Sequence, residues 1–452
     1  MNKPSICVVG GGLAGCEAAW AAANRGCNVT LYEMRPTVMT PAHQTDRLAE
    51  LVCSNSLKSL NPDSPAGLLK QEMKSLGSLI IPTAEKHSVP GGEALAVDRH
   101  AFAEEVTQRI ESHPNIRVVR QEFNPEALYP TTPTVIATGP LTSEALSNWL
   151  RQVTGQDHLF FYDAVSPTVT AESIDRSVVW EQSRYDKGDA AYLNCPMTRE
   201  EYERFVDALL AAEQAPLHDF ENGKYFEGCL PIEEIARRGR ESLRFGNFKP
   251  VGLTDPRTGK RPYAAVQLRP ENRERSLYSL VACQNRLRWG AQKEVLRLIP
   301  GLENAEFVRL GVIHRNTYVN SPRVLNCRLV VRTERVRGVV LLAGQITGVE
   351  GYAESGAIGI LAGLSATATV GSAHYEPPPR ETALGSLMAH VLNDASPSFA
   401  PMNINWGLLP ALDEPVRDKA EARRRKLEAA RRAFDAWLAA MGAMERVAWA
   451  GD

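Results

Sequence analysis

Six residues near the start of the chain, Gly10-Gly11-Gly12-Leu13-Ala14-Gly15, have the spacing of a phosphate-gripping turn. An acid, Glu33, follows at about the 20-residue distance expected of a dinucleotide site. The chemistry of such a turn is binding. Gly10 permits the tight bend, Gly12 lets the backbone approach a pyrophosphate, and Gly15 lets helix and strand pack closely. The pyrophosphate then sits on a helix N-terminus, where unpaired N–H groups and the dipole favour an anion. Glu33 is placed to accept hydrogen bonds from an adenosine ribose. The elements required to hold these groups are all legible. A β-branched strand over 5–9 precedes the turn, an Ala-rich helix over 16–24 follows and ends at Gly26, and a second strand spans 28–32.

A second set of residues with possible chemistry is the cysteines, at positions 7, 16, 27, 53, 195, 229, 283 and 327. None forms a CxxC pair and no His stands at zinc-ligand spacing from two of them, so neither a metal site nor a disulfide framework is expected. Cys7 in the first strand and Cys16 in the first helix read as small buried hydrophobes. Cys53 and Cys229 differ, because polar, Gly and charged residues flank them.

The first βαβ unit alone does not distinguish FAD from NAD. Two later segments do. A buried strand over 134–139 ends in Ala137-Thr138-Gly139, and a second over 338–345 ends in Gly with Ala343-Gly344-Gln345. This return of distant strands resembles the glutathione-reductase-like FAD fold, and it implies an α/β Rossmann domain that binds FAD. A helix over 354–364 carries small residues suited to close approach, and Tyr352 just before it reads either as packing on the flavin or as core. There is no redox CxxxxC and no second GxGxxG, which argues against a dithiol reductase.

A chain of 452 residues has room for two or three domains. Hydrophobic residues make up 44% and charged residues 23%, an ordinary globular balance. The formal net charge of −2 gives no global attraction to nucleic acid, so any RNA surface must be a local patch. No stretch approaches the ~18 uninterrupted apolar residues of a membrane helix. The short apolar run at the N-terminus leads into the Gly turn and reads as a strand, not a signal peptide, so a cytoplasmic protein with no membrane or metal partner is expected. Character changes in the middle of the chain, where charged and aromatic residues rise. The expected organisation is a discontinuous FAD-binding domain (1–165 plus 310–380), an inserted α+β domain for substrate (166–309), and a helical C-terminal region (381–452) packing on the FAD domain.

Several longer runs are more specific. They are LVCSNSLKS at 51–59, KYFEGCLPIE at 224–233, Arg237-Arg238-Gly239, LRFG at 243–246, KPVGL at 249–253, RPYAAVQLR at 261–269, HRNTY at 314–318 and GYAES at 351–355. Together they resemble the folate- and FAD-dependent tRNA (uracil-5-)-methyltransferase family over nearly the whole chain. The resemblance implies methylation of C5 of the T-loop uridine at position 54 of tRNA. The one-carbon unit would come from 5,10-methylenetetrahydrofolate by way of the flavin, with NADPH or NADH as reductant.

Residue chemistry is consistent with that implication. Uracil C5 is a poor nucleophile until something adds at C6, and a thiolate is a natural adder. By the resemblance, Cys229 is the nucleophile and Cys53 its partner near the flavin, with the removal of the C5 proton not finally divided between them. Folate-tail candidates are Lys58, Arg288 and Arg315. RNA contact is expected from Arg237, Arg238 and Arg240, from Lys260 and Arg261, and from the basic run at 423–432. Tyr225, Phe226 and Phe245 are candidates to stack on a flipped base. Competing readings are a small-molecule flavin oxidoreductase, a wobble-uridine modification flavoprotein, and a non-enzymatic RNA-binding flavoprotein.

Overall fold

The structure, a computed structural model, describes residues 3–128, 131–156, 159–164, 166–187, 189–215, 230–311, 313–371, 374–393 and 399–449. Strand β1 (Ser5–Val9) has β-branched, alternately buried residues and lies at the centre of a five-stranded sheet. The order across that sheet is Val340–Leu342, Thr134–Ile136, β1, β2 (Asn28–Glu33) and Ile116–Arg120, every pair parallel. Parallel strands need crossovers, and helix α1 (Leu13–Ala23) supplies the one between β1 and β2. It begins three residues earlier than the sequence reading, directly out of the Gly turn. Gly26, at φ +84°, lies just beyond its end.

Small residues decide how α1 is covered. The helix Tyr352–Thr369 lies against it so closely that a Cβ on Gly359 would stand 2.2 Å from the Ala14 carbonyl oxygen. At Gly363 the corresponding distance to the Ala18 oxygen is 2.6 Å. Any larger side chain at either position would force the helices apart.

Two buried carboxylates anchor other helices to this core. Glu17 on α1 accepts hydrogen bonds from Ser78 Oγ, Leu79 N (3.0 Å) and Ile80 N (3.1 Å), holding the start of the helix Ile80–Lys86. Glu72, in the helix Pro65–Ser75, accepts from Ala383 N and Leu384 N, both at 2.8 Å, at the start of Ala383–Val391. Burial pushes each carboxyl up to about 7, against the hydrogen bonds that favour the charged form.

A second, separate core is drawn from residues between Val169 and Ala305. Its six-stranded sheet runs Trp180–Glu181, Leu193–Met197, Ala264–Pro270, Leu277–Leu280, Thr168–Thr170 and Phe307–Arg309, antiparallel throughout. The helices Arg199–Ala211 and Ile232–Arg238 contribute Tyr202, Phe205, Ile232 and Ala236 to that core. The chain passes between the two cores along an antiparallel ribbon of Leu159–Ala164 with Ile313–Tyr318. The architecture is therefore α/β: a Rossmann-type dinucleotide-binding domain, an inserted α+β domain and C-terminal helices.

The last helix, Lys419–Trp449, returns to the first core through Leu427, Ala430, Phe434, Trp437 and Met441. Leu427, Phe434 and Met441 belong to the face expected from the sequence, but Val416 and Ala420 do not join it. Val416 precedes the helix and Ala420 is exposed. The start signal is not Asp413 or Pro415 but Asp418, whose Oδ1 accepts from Ala420 N (2.7 Å) and Glu421 N (2.9 Å).

Candidate functional site

A groove of about 1020 Å³, counting the open space at its mouth, lies at the C-terminal edge of β1 and β2. Sequence-expected residues Gly10, Gly11, Gly12, Leu13, Ala14, Glu33, Gly139 and Tyr352 all line it. The Gly turn works as its spacing suggests. Gly10 has φ +103°, and a Cβ there would lie 2.6 Å from the Ala137 oxygen on the neighbouring strand's exit. A Cβ on Gly12 would meet nothing within 4 Å, so its hydrogen leaves open the cradle where a phosphate approaches the backbone. No side chain caps the start of α1, so its first-turn N–H groups face the groove without an acceptor from the protein's described side chains.

Gly15 and Gly344 do not line the groove. Their place is underneath. A Cβ on Gly15 would fall 1.8 Å from the Gly10 oxygen, and one on Gly344, at φ +77°, would fall 2.6 Å from Ala14 Cβ. Both let backbones approach one another rather than a ligand.

Glu33 is 5% exposed and already engaged. Its Oε2 accepts from Gly11 N at 2.9 Å, and its Oε1 accepts from Arg35 N (3.0 Å) and Arg35 Nε (2.9 Å). Burial would raise its carboxyl, but the Arg35 hydrogen bonds and charge outweigh that and hold it below the usual carboxylate range. A carboxylate has about four acceptor sites, so capacity remains for a ribose hydroxyl. Arg35, which the sequence reading missed, is itself fixed by Glu50 Oε2 at 3.2 Å and the Thr45 carbonyl at 3.1 Å. Nothing local in the sequence marks it, since it follows β2 as an ordinary loop residue.

Tyr352 links the groove to the thiol. Its hydroxyl oxygen accepts from Cys53 N at 2.8 Å and from Ser54 N at 3.2 Å. Val52, the residue before the thiol, lines the groove, and Cys53 itself is half-buried. Burial, and then the nearby Cys53 charge, push the phenol upward, so it stays protonated at neutral pH. The two sequence readings of Tyr352 thus merge: it is a groove wall and a clamp on the Cys53 loop.

Cys229 lies outside the described residues, as do Lys224, Tyr225 and Phe226. Immediately after them, Leu230, Ile232 and Glu233 are buried. Glu233 accepts from Arg286 N at 2.8 Å, and burial pushes it up to about 7.

Of the folate-tail candidates, Lys58 is drawn inward. Its Nζ donates to the buried Glu354 at 2.9 Å and to the Glu350 carbonyl at 3.4 Å, while the side chain itself stays 37% exposed, so its charge is shared with Glu354 but still meets solvent. Arg288 pairs with Glu213 at 3.1 Å on the surface, and the Arg315 side chain lies outside the described residues.

Among the RNA candidates, Arg237, Arg238, Arg240, Lys260 and Arg261 are all exposed. Arg237 meets Glu234 at 2.5 Å and Arg240 meets Asp207 at 2.7 Å. Such exposed pairs are worth about 0–1 kcal/mol and yield readily to a phosphate. Lys260 and Arg261 stand on the turn before the strand Ala264–Pro270. Phe245 is 69% exposed, with the Arg244 guanidinium 5.0 Å from its ring centroid. In the basic C-terminal run, Arg424 and Arg425 pair with Glu421 on their own helix, as on a solvated face, whereas Arg431 contacts Pro62 O and Asp63 and Lys426 donates to the Trp406 and Leu409 carbonyls, which tie the helix to other segments.

Fold and groove together define an FAD-binding protein of the Rossmann class. Residues 5–373 match the family model of glucose inhibited division protein A. A protein named methylenetetrahydrofolate–tRNA-(uracil-5-)-methyltransferase from Anoxybacillus flavithermus is 55% identical, over 94% of this chain and 97% of its own. Its namesake from Koribacter versatilis is 56% identical over 96% and 98%, and that from Bacillus subtilis 52% over 93% and 95%. The chain belongs to this methylenetetrahydrofolate-dependent tRNA (uracil-5-)-methyltransferase family. Among solved structures, Aquifex aeolicus GidA superposes with a TM-score of 0.68 at 16% identity, covering 98% of this chain and 74% of that one, a likeness of fold. Among the described residues no group of three metal-binding side chains occurs, and no helix is long and apolar enough to cross a membrane.

Proposed function

We propose that this enzyme methylates C5 of a uridine in tRNA, taking the one-carbon unit from 5,10-methylenetetrahydrofolate. The finer reading is a T-arm target, the uridine at position 54, with NADPH or NADH as reductant in a cytoplasmic setting. It keeps the division into 1–165 plus 310–380, 166–309 and 381–452 as domains for cofactor, tRNA and helical support.

The observation that carries this reading is the Tyr352 bridge. One side chain walls the dinucleotide groove and holds the backbone N–H of Cys53, which supports a working thiol beside the cofactor site. A thiolate that adds to uracil C6 turns C5 into an enolate carbon able to attack an electrophilic one-carbon unit. In this reading Cys229 is that nucleophile. Cys53, at the groove, takes the C5 proton, and departure of the C6 thiolate then restores the ring. Reduced FAD, when bound, supplies the two electrons that take the one-carbon unit from methylene to methyl. Gly10–Gly12 and the start of α1 hold its pyrophosphate, and Glu33 its ribose. Arg237, Arg238, Arg240, Lys260 and Arg261 offer charge to the tRNA backbone.

The test uses FAD-bound protein, unmodified tRNA transcript, NADPH and methylenetetrahydrofolate labelled in its one-carbon unit. Label should enter one T-loop uracil and vanish in Cys53→Ala and in Cys229→Ala. Label in neither wild type nor variants, with flavin bound and reducible, would remove the methyltransferase reading.

A further inference from the structure

Around the Cys53 loop lies a cluster of charged side chains that the proposed reaction does not use. Arg99, the first residue of the helix Arg99–Glu111, donates from Nη1 to the Leu51 carbonyl at 3.0 Å. Arg309, ending the strand Phe307–Arg309, donates from Nη1 to the Val52 carbonyl at 3.5 Å and from Nη2 to Thr168 Oγ1 at 3.2 Å. Arg269 donates to Asn55 Oδ1 at 2.8 Å, and Asn55 donates to the carbonyls of Val97 and Pro270, both at 3.0 Å. The carboxylate in this cluster is Glu271, which pairs with Arg99. These contacts fasten the antiparallel sheet to the Rossmann domain at the residues flanking the thiol.

The charges do not balance. Arg99, Arg269 and Arg309 face one carboxylate among the described residues, and the Arg99 and Glu271 side chains are only 10% and 5% exposed. Arg99 Nε and Arg309 Nε, both buried, reach no hydrogen-bond acceptor among the described residues. Burial, and then the like charge of Arg99, pull Arg309 down to about 10, which leaves it cationic at neutral pH. Burial would raise Glu271, yet Arg99, Arg309 and Arg269 hold it below its ordinary value, so it is ionised. Uncompensated buried positive charge is costly unless an anion lies within reach. The titratable and charged groups around the loop are Arg99, Arg309, Arg269, Glu271, Tyr352 and the Cys53 thiol.

We propose that Arg99 and Arg309 are positioning residues for Cys53: they hold the carbonyls of the two preceding residues, and their surplus positive charge favours the thiolate. Tyr352 holds the N–H side of the same loop, so the thiol is clamped from both faces of its backbone. The consequence for turnover rests on Cys53 being a working thiol, but its ionisation is measurable without turnover.

The experiment follows the pH dependence of iodoacetamide alkylation of Cys53 in the full-length, FAD-bound protein, read on its peptide by mass spectrometry. Only the thiolate reacts. Arg309→Gln should move the midpoint up by about one pH unit and slow alkylation at pH 7 about tenfold, the lower end of the effect of one adjacent opposite charge. Arg309→Lys, which keeps the charge, should stay near wild type. Glu271→Gln should move the midpoint the other way, because it removes the compensating carboxylate. A purely structural seam would shift both charge-removing variants in the same direction, or neither, and either result overturns the proposal. If Arg309→Gln loses its flavin, Glu271→Gln decides: a lowered midpoint supports the proposal, and an unchanged or raised one overturns it. Methylation by Cys53→Ala would sink the role of Cys53 while leaving these midpoints standing.

Discussion

Replacing Tyr352 by Phe removes a single oxygen and keeps the ring that walls the groove. That oxygen accepts two backbone N–H groups, from Cys53 at 2.8 Å and Ser54 at 3.2 Å. A net hydrogen bond, with exchange against water already counted, is worth about 1 kcal/mol. The held conformation of the Cys53 loop should therefore lose about 2 kcal/mol, or about 30-fold in population. Flavin content, read from absorbance per protein, should stay at the wild-type level because the glycine turn and Glu33 are untouched. The initial rate of label transfer from methylenetetrahydrofolate to tRNA, at saturating substrates, should fall about 30-fold. A variant that keeps its flavin and methylates within about threefold of wild type would refute the claim that this bridge organises the thiol.

Three further outcomes are expected. Glu33→Gln puts an amide NH2 among three N–H donors that now find carboxylate oxygens, and should weaken FAD binding by about 1–3 kcal/mol, measured by titrating apoprotein while following flavin fluorescence. Glu72 has its folded carboxyl raised by burial from 4.5 to about 7, so its contribution favours folding below 4.5 and is lost as pH rises to about 7. Thermal midpoints taken across that window should fall less steeply with rising pH in Glu72→Gln than in wild type, and parallel slopes would show that the helix anchor does not titrate there. Replacing Lys260 and Arg261 together by Gln should lower the slope of log tRNA affinity against log salt by about one to two if each meets a phosphate. An unchanged slope would place the RNA elsewhere.

How much of the site could be read in advance follows from the range over which each part is held. The phosphate turn is local: strand, Gly10 to Gly15, helix and Glu33 occupy one continuous βαβ unit, and their steric and capping rules act between near neighbours. Gly15 serves the backbone packing its position in the turn implies, but Gly344 also serves packing rather than the groove, because what a missing Cβ makes room for depends on which element arrives beside it. Lys58 shows what local pattern leaves out: Glu354 lies beside it in space, almost 300 residues later by number, and pairs with its charge.

By itself, the sequence determined the nucleotide-binding class, through periodicity and glycine spacing, and the family, through runs that match it nearly end to end. Only the tertiary structure decided what surrounds the thiol. Tyr352 stands 299 residues from Cys53, Arg309 is 257 from the Val52 carbonyl it meets, and Arg99 is 48 from that of Leu51. No propensity or periodic pattern records such pairs. They exist because the parallel sheet, the close glycine-mediated helix packing and the inserted antiparallel sheet bring three remote segments to one loop.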